Sequence, residues 1–300
     1  MKRIKRHSSR GSYNLFASHS HCMPGLGGMM VLLLLFILGA GMGSLVTSLL
    51  GGLISENFVQ TYGTIISYPM MFIPPMLYAS VNSRRNDMYE TGYALDSNNF
   101  GKFGGFRLAL IAVATTIAAA FVVEPVTALL PKMPQWLEDV MKQMMEGSPV
   151  WATLLAVSVF APLFEEWLCR GLVLRGLLRK MSPTGAICIS AAFFAVLHMN
   201  PWQAIPAFAL GLLFGLVYYK TGSLKLTMLM HCANNTLAVI ISKIPAFKDA
   251  DTFMDIMNPW AYAGVDIAFI IILACGIIIF QAIPRKEGNL GGCDKIDYLA

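Results

Sequence analysis

Residues 29–54 read MMVLLLLFILGAGMGSLVTSLLGGLI, a run that contains no charged residue. About 20 apolar residues are enough to cross the hydrocarbon layer of a membrane, which is about 30 Å thick. The apolar core of a cleavable signal peptide has only about 7–15 residues. The run therefore predicts a first transmembrane helix.

Seven stretches of similar character follow the first. The chain is 56% hydrophobic and only 13% charged, against about 25% charged residues in an ordinary soluble domain. We therefore expect an all-α polytopic membrane protein with about eight transmembrane helices, and residues 135–145 predict a short amphipathic helix on the membrane surface. The seven further predicted spans are residues 62–81, 106–124, 150–180, 184–199, 203–219, 224–242 and 263–284.

Basic residues fall mostly on one side of the predicted membrane. Cytoplasmic loops of membrane proteins carry an excess of Lys and Arg, and eight spans place both termini on the same side. All but four of the 22 basic residues share that side, the exceptions being Lys132, Lys142, Lys243 and Lys248. We predict a multi-pass protein of the cell membrane with cytoplasmic N- and C-termini. The membrane topology accounts for the net charge of +5 without a nucleic-acid partner.

A group of ionisable residues carried by three of the predicted spans needs an explanation. A charge inside a bilayer costs on the order of 3 kcal/mol by insertion scales, so its presence needs a reason. In the sequence EEWLCR, residues 165–170, Glu166 and Arg170 share a helix face and can form an ion pair. Glu165 points about 100° away and is left free. An ion-pair cluster is the simpler interpretation, but two adjacent carboxylates exceed what one arginine requires.

Two histidines lie in neighbouring spans at a similar predicted depth. His198 follows Phe194 by four residues, and His231 precedes Asn235 by four. Either histidine taken alone is compatible with a hydrogen-bonded core residue. At 1.5 Å per residue, however, antiparallel helices bring Glu165 and both histidines to one level of the membrane. We therefore predict that these side chains surround one conical cavity that opens to the cytoplasm.

The predicted cluster has the groups needed for water to attack an amide. A carboxylate can act as a general base, an imidazole can share the water with it, and imidazole and carboxamide N–H groups can stabilise an oxyanion. The chain contains neither a GxSxG nor an HExxH motif, so serine hydrolase and zincin interpretations lack support.

Three motifs in this order resemble those of the CAAX proteases and bacteriocin-processing enzymes (CPBP), also called Abi proteins. They are EExxxR at residues 165–170, FxxxH at 194–198 and HxxxN at 231–235, and the stretch 211–235 is also similar to the family's segment before its last motif. The resemblance covers about residues 150–242 and implies an intramembrane endopeptidase fold.

The resemblance also implies roles for individual residues. Glu165 would activate water together with His198, while His231 and Asn235 would form the oxyanion site. The family is often described as metalloproteases, although some CAAX members are similar to metal-independent glutamate proteases. Glu165, His198 and His231 would also be an acceptable zinc set, so both no cofactor and Zn stay open. The supporting residues implied by the motifs are Glu166, Arg170 and Phe194.

Four segments follow from this interpretation. Residues 1–28 predict a basic cytoplasmic tail, and 29–149 the first three transmembrane helices with the interfacial helix. Residues 150–242 predict the CPBP/Abi catalytic core, and 243–300 the last transmembrane helix and a cytoplasmic tail.

Three classes of function remain open from the sequence. The leading hypothesis is a peptidase whose partners are the lipid bilayer and a membrane-associated or lipidated peptide substrate, as in CAAX-type or bacteriocin-related processing. A transporter or proton-relay protein is the first alternative, because buried Glu and His also mark ion paths. The second is a catalytically silent immunity or scaffold protein on the same fold.

Overall fold

The computed structural model describes residues 19–87, 95–247 and 252–284, and all regular secondary structure in these ranges is helical. Helix α5 contains short π-helical segments that are described below. The helices are α1 (Leu26–Leu53), α2 (Glu56–Asp87), α3 (Gly104–Thr127), α4 (Gln135–Glu146), α5 (Val150–Leu178), α6 (Pro183–Leu197), α7 (Pro201–Thr221), α8 (Leu224–Ser242), α9 (Phe253–Ile256) and α10 (Pro259–Ala282).

Seven of these helices, namely α1, α2, α3, α5, α7, α8 and α10, are long and apolar enough to cross a membrane. The prediction of an all-α polytopic membrane protein is therefore confirmed. The predicted span at 184–199 is α6, whose 15 residues rise only about 22 Å, less than the hydrocarbon thickness of about 30 Å. The predicted short helix between the third and fourth spans is present as α4, with Trp136 and Val140 exposed.

The loops gather at two ends of the helix bundle. At one end, Lys225 pairs with Asp96 at 3.0 Å, and the Asn99 amide donates to the carbonyls of Lys220 and Pro284. At the opposite end, the Lys243 ammonium donates to the carbonyl of Met145, and the Trp202 indole N–H donates to that of Pro131. The first end, which we call the basic end, also holds Arg84, Arg85, Arg179 and Lys180.

Several basic residues behind the topology prediction lie outside the described residues. Which side of the membrane the basic end faces therefore stays a prediction. The basic residues outside the described ranges are Lys2, Arg3, Lys5, Arg6, Arg10, Lys248, Arg285, Lys286 and Lys295.

Helix α5 is the most enclosed of the membrane helices. Two π-helical segments, Leu154–Phe160 and Trp167–Leu174, flank a short α-helical segment, Ala161–Glu166. A π segment makes i→i+5 hydrogen bonds, is uncommon, and is found most often at functional sites. Both glutamates of the first motif lie at the end of the α-helical segment, directly before the second π segment.

Small residues bring α6 and α7 into close contact. A Cβ atom on Gly211 would lie 3.0 Å from the Cα atom of Ala191, and one on Gly215 would lie 2.9 Å from an Ile187 methyl group. Membrane helices without large side chains at their interface can approach until their backbones touch. This contact fixes the position of the α6 C-terminus, where the second motif ends.

Candidate active site

Glu166 and Arg170 form the predicted ion pair. The Arg170 Nη1 atom donates to Glu166 Oε1 at 2.7 Å, and neither side chain is exposed. Arg170 Nη2 donates to the Gly211 carbonyl at 3.1 Å. The guanidinium carbon lies 4.6 Å from the ring centre of Phe194 and 5.3 Å from that of Phe214. Because both partners are fully buried, removing either would leave an uncompensated charge.

His231 links the two glutamates. Its Nδ1 atom lies 3.1 Å from Glu166 Oε1, and its Nε2 atom lies 3.8 Å from Glu165 Oε2. A carboxylate only accepts hydrogen bonds, so Nδ1 carries the proton of the first contact. The ring of His231 also packs edge-on against Phe194, at 5.4 Å between ring centres. His231 is buried.

Glu165 has a different set of partners from Glu166. Its Oε1 atom accepts a hydrogen bond from the hydroxyl group of Tyr68 on α2. Glu165 is 9% exposed, whereas Glu166 is 0% exposed. Of the two glutamates, only Glu166 is bonded to the Arg170 cation. The Glu165 carboxylate is therefore not neutralised by an arginine.

Tyr68 was not predicted from the sequence. It lies in a predicted span that carries no motif, and its spacing from the glutamates is 97 residues. A tyrosine in a membrane helix is also common at the interface with water, so no local pattern distinguishes Tyr68 from other tyrosines in the predicted spans.

His198 lies at the C-terminus of α6, next to the cluster. Its Nδ1 atom is 3.0 Å from the carbonyl of Phe194. Because a carbonyl only accepts, Nδ1 is the donor, and Nε2 is left with a lone pair in the neutral ring. In the described part of the chain, His198 makes no hydrogen bond to Glu165 or His231. Its connection to the cluster is the Phe194 ring, at 5.1 Å between ring centres.

The turn after His198 has an unusual backbone. Met199 has a φ of 54°, in the left-handed region that residues other than glycine rarely adopt. The Asn200 side chain then accepts from the Gln203 N–H and caps α7, as is typical of asparagine at this position. Backbone strain of this kind is found preferentially at functional sites, and here it adjoins a predicted catalytic residue.

The Asn235 side chain donates a hydrogen bond to the backbone of α5. Its Nδ2 atom donates to the carbonyl of Val157 at 2.9 Å. In the first π segment the Ala161 N–H bonds to the Ala156 carbonyl, five residues back. The next such bond would join residue 162 to Val157, but Pro162 has no N–H. The Asn235 amide takes its place, which leaves the second hydrogen of Nδ2 for another acceptor.

The three motifs are therefore brought together, though not all by direct contact. Glu165, Glu166 and Arg170 connect with His231 through hydrogen bonds and ion pairs, whereas His198 adjoins them through Phe194. Asn235 lies one helical turn after His231 and contacts the same helix as the glutamates.

The metal hypothesis gains no geometric support. Among the described residues, no three His, Cys, Asp or Glu side chains are grouped so that they could hold a metal ion. Zinc at Glu165, His198 and His231 therefore stays a prediction. The described cysteines are all free thiols.

The described part of the chain encloses two cavities, one of which lies beside α5. One of about 330 Å³ lies between α5 and α8 and is lined by Ser158, Pro162 and Cys232, among others. The other, of about 590 Å³, is mostly apolar and lies between α3, α7, α8 and α10, with Glu124 on its wall. Neither is lined by the predicted catalytic residues, and the cavity open to the cytoplasm stays a prediction.

A comparison with protein families identifies the segment that carries the motifs. Residues 147–237 match the family model described as Type II CAAX prenyl endopeptidase Rce1-like. The match supports an assignment of this segment to the CAAX protease (CPBP) family. All three motifs fall within the match, whereas Tyr68 falls outside it. No curated protein and no solved structure matches the chain. The family match supports a general function as an intramembrane endopeptidase of the CAAX type.

Proposed function

We propose that this CAAX-family protein is an intramembrane endopeptidase in which Glu165 is the general base. The observation that carries the proposal is the unequal partnering of the adjacent glutamates. Glu166 is fixed by Arg170 and His231, while Glu165 accepts a hydrogen bond only from a neutral hydroxyl in the described region. Among the described residues, Glu165 is bonded to no lysine or arginine and only approaches His231 Nε2, at 3.8 Å. Such an enclosed carboxylate is suited to take a proton from water.

His198 completes the water-activating pair in this proposal. Its Nδ1 proton is fixed on the Phe194 carbonyl, so Nε2 can accept a hydrogen bond from the same water that Glu165 deprotonates. As the water oxygen attacks the carbonyl carbon, the proton moves to Glu165, and it is then delivered to the leaving amine.

His231 and Asn235 stabilise the oxyanion in this proposal. When its ring carries both protons, His231 has an Nε2–H donor in addition to the Nδ1–H held by Glu166. Asn235 has a second amide hydrogen besides the one bonded to Val157, and that hydrogen has no acceptor among the described residues. Donors held in place before the reaction stabilise developing negative charge without reorganisation.

The proposed substrate is a short membrane-associated or lipidated peptide. An enclosed site among membrane helices favours a peptide that is itself held in the bilayer, because such a substrate reaches the site without leaving the lipid. CAAX-type maturation and bacteriocin-related processing both supply peptides of this kind. A nucleic acid has no place in the proposal.

The proposal is tested by profiling a peptide library with the purified protein in detergent. Wild-type protein should cleave a subset of the peptides, and Glu165→Gln should lower kcat by about 10²–10⁴ because it removes the base but keeps the shape. Asp266→Asn is the control, an acid-to-amide change in α10, and it should leave kcat within about twofold. Parallel assays with a chelator test the zinc alternative: a chelator-sensitive activity would replace the glutamate mechanism with a metal-dependent one.

If the wild-type protein cleaves no peptide in the library, the peptidase proposal is contradicted. Peptide-independent proton or ion flux in vesicles would then favour a transporter or proton-relay protein. Absence of both activities would favour an immunity or scaffold protein.

We also propose that the basic end faces the cytoplasm of the cell, with both termini on that side. The excess of Lys and Arg at that end supports this orientation. Reporter fusions at residue 300 and near Lys248 should report opposite sides of the membrane. The same side for both would contradict the eight-span topology.

A further inference from the structure

The helix α2, which lies outside the family match, reaches the candidate active site. Tyr68 on this helix donates its hydroxyl hydrogen to Glu165 Oε1. One turn further along α2, Phe72 is fully buried and stacks on Phe164, at 5.1 Å between ring centres and 17° between ring planes. Phe164 directly precedes Glu165, so two consecutive contacts hold α2 in register with the helix that carries the base.

The bond from Tyr68 constrains the base in a way that apolar packing alone would not. Glu165 has two oxygen atoms and three rotatable side-chain bonds. Tyr68 occupies Oε1, and Oε2 lies 3.8 Å from His231 Nε2. With one oxygen held, the other is directed toward the imidazole and toward the position that the proposal gives to the water.

We propose that Tyr68 is a positioning residue of the peptidase site, whose hydroxyl orients Glu165 so that Oε2 is the oxygen that takes the proton from water. This inference rests on the proposed peptidase function. It assigns to α2 a part in catalysis: the helix without a motif completes a site whose other residues all come from the family-matched segment.

The alternative is that Tyr68 only packs. Its ring lies 5.8 Å from that of Phe72, and a phenylalanine would keep this contact. The two roles therefore differ in a single oxygen atom, and Tyr68→Phe separates them. Tyr62→Phe is the matched control, because Tyr62 lies on the same helix and its ring contacts are with Phe58 and Trp151, away from the glutamates.

The test measures kcat and KM for a peptide that the wild-type protein cleaves. Tyr68→Phe should lower kcat by about 10- to 100-fold, the effect of losing one hydrogen bond to a charged group, with KM within about twofold. Tyr62→Phe should leave both constants within about twofold. An unchanged kcat in Tyr68→Phe, or an equal fall in both variants, would overturn the role of Tyr68.

A second measurement tests the contact without relying on activity. The melting temperatures of Tyr68→Phe, Glu165→Ala and the double variant form a double-mutant cycle. Tyr68→Phe should lower the melting temperature of the wild type but change that of Glu165→Ala by no more than about 1 °C. Additive shifts would overturn the inference. A wild-type protein without peptidase activity would overturn the proposed function itself, which is a different outcome from an active wild type with an unaffected Tyr68→Phe.

Discussion

Helices α5 and α10 are both long enough to span a membrane, but they occupy opposite environments. In the most apolar 18-residue window of each, 56% of the α5 residues are buried inside the protein and only 11% of those in α10. The more apolar helix is the more exposed one. Lipid tails are as apolar as leucine, so apolar helices gain little by leaving them, whereas a helix with charged residues needs partners that only other helices supply.

The contacts of the two helices follow this difference. Helix α10 meets α3 along a narrow strip, where a Cβ atom on Gly276 would lie 2.0 Å from Thr115 Oγ1, and its isoleucines at 267, 270, 271 and 278 face outward. Helix α5 is surrounded, and its charged pair Glu166–Arg170 has no exposed surface. The burial of these two helices therefore follows their need for polar partners rather than their hydropathy.

The largest effect on stability is expected from Glu166→Gln. A neutral amide would leave Arg170 uncompensated among buried helices, so the free energy of unfolding should fall by about 3–5 kcal/mol. Peptidase activity should fall as well, because His231 loses its carboxylate partner. Denaturant titration in detergent measures the first effect and peptide cleavage the second.

Glu138→Gln provides the matched control on α4. Glu138 and Lys142 form an ion pair with the same four-residue spacing, at 2.6 Å, but their side chains are 37% and 56% exposed. An exposed pair contributes about 0.5 kcal/mol, so this change should be close to neutral. Equal losses in the two variants would show that burial is not what distinguishes the pairs.

Asn235→Ala should affect both activity and stability. Loss of one oxyanion donor lowers kcat by about 10²–10³, and the unpaired Val157 carbonyl lowers the free energy of unfolding by about 1–3 kcal/mol. Adding Pro162→Ala restores an N–H at the position from which a π-helical bond to Val157 would come. The double variant should regain stability but not kcat. Recovery of both would limit Asn235 to a structural role.

The smallest effect is expected on the outward face of α10. Ile271 is 57% exposed, and Ile271→Ala should change the free energy of unfolding by less than about 0.5 kcal/mol. Leu172→Ala, at a position of α5 with no exposed surface, should cost about 2–5 kcal/mol by leaving a cavity. A large loss for Ile271→Ala would instead point to a partner that covers α10.

Much of the architecture could be predicted because the responsible signals are local. An apolar run of about 20 residues predicts a membrane helix without knowledge of its neighbours, and the spacing of Glu166 and Arg170 predicts a shared helix face. The short length of α6 could also be read from the sequence, which ends the apolar stretch at an Asn-Pro pair after His198. The π segments of α5 could not, because they change the hydrogen-bond register without changing the apolar pattern.

Residue type and spacing along one helix were enough to predict a membrane protein, the course of its helices and the motifs that carry charge. How the charges share their partners follows from the way the helices pack. It placed Tyr68 on Glu165, made His231 the link between the two glutamates, and gave Asn235 the carbonyl that Pro162 leaves unpaired. These contacts join residues 65 to 97 positions apart, and their geometry depends on helix packing, which no local pattern specifies.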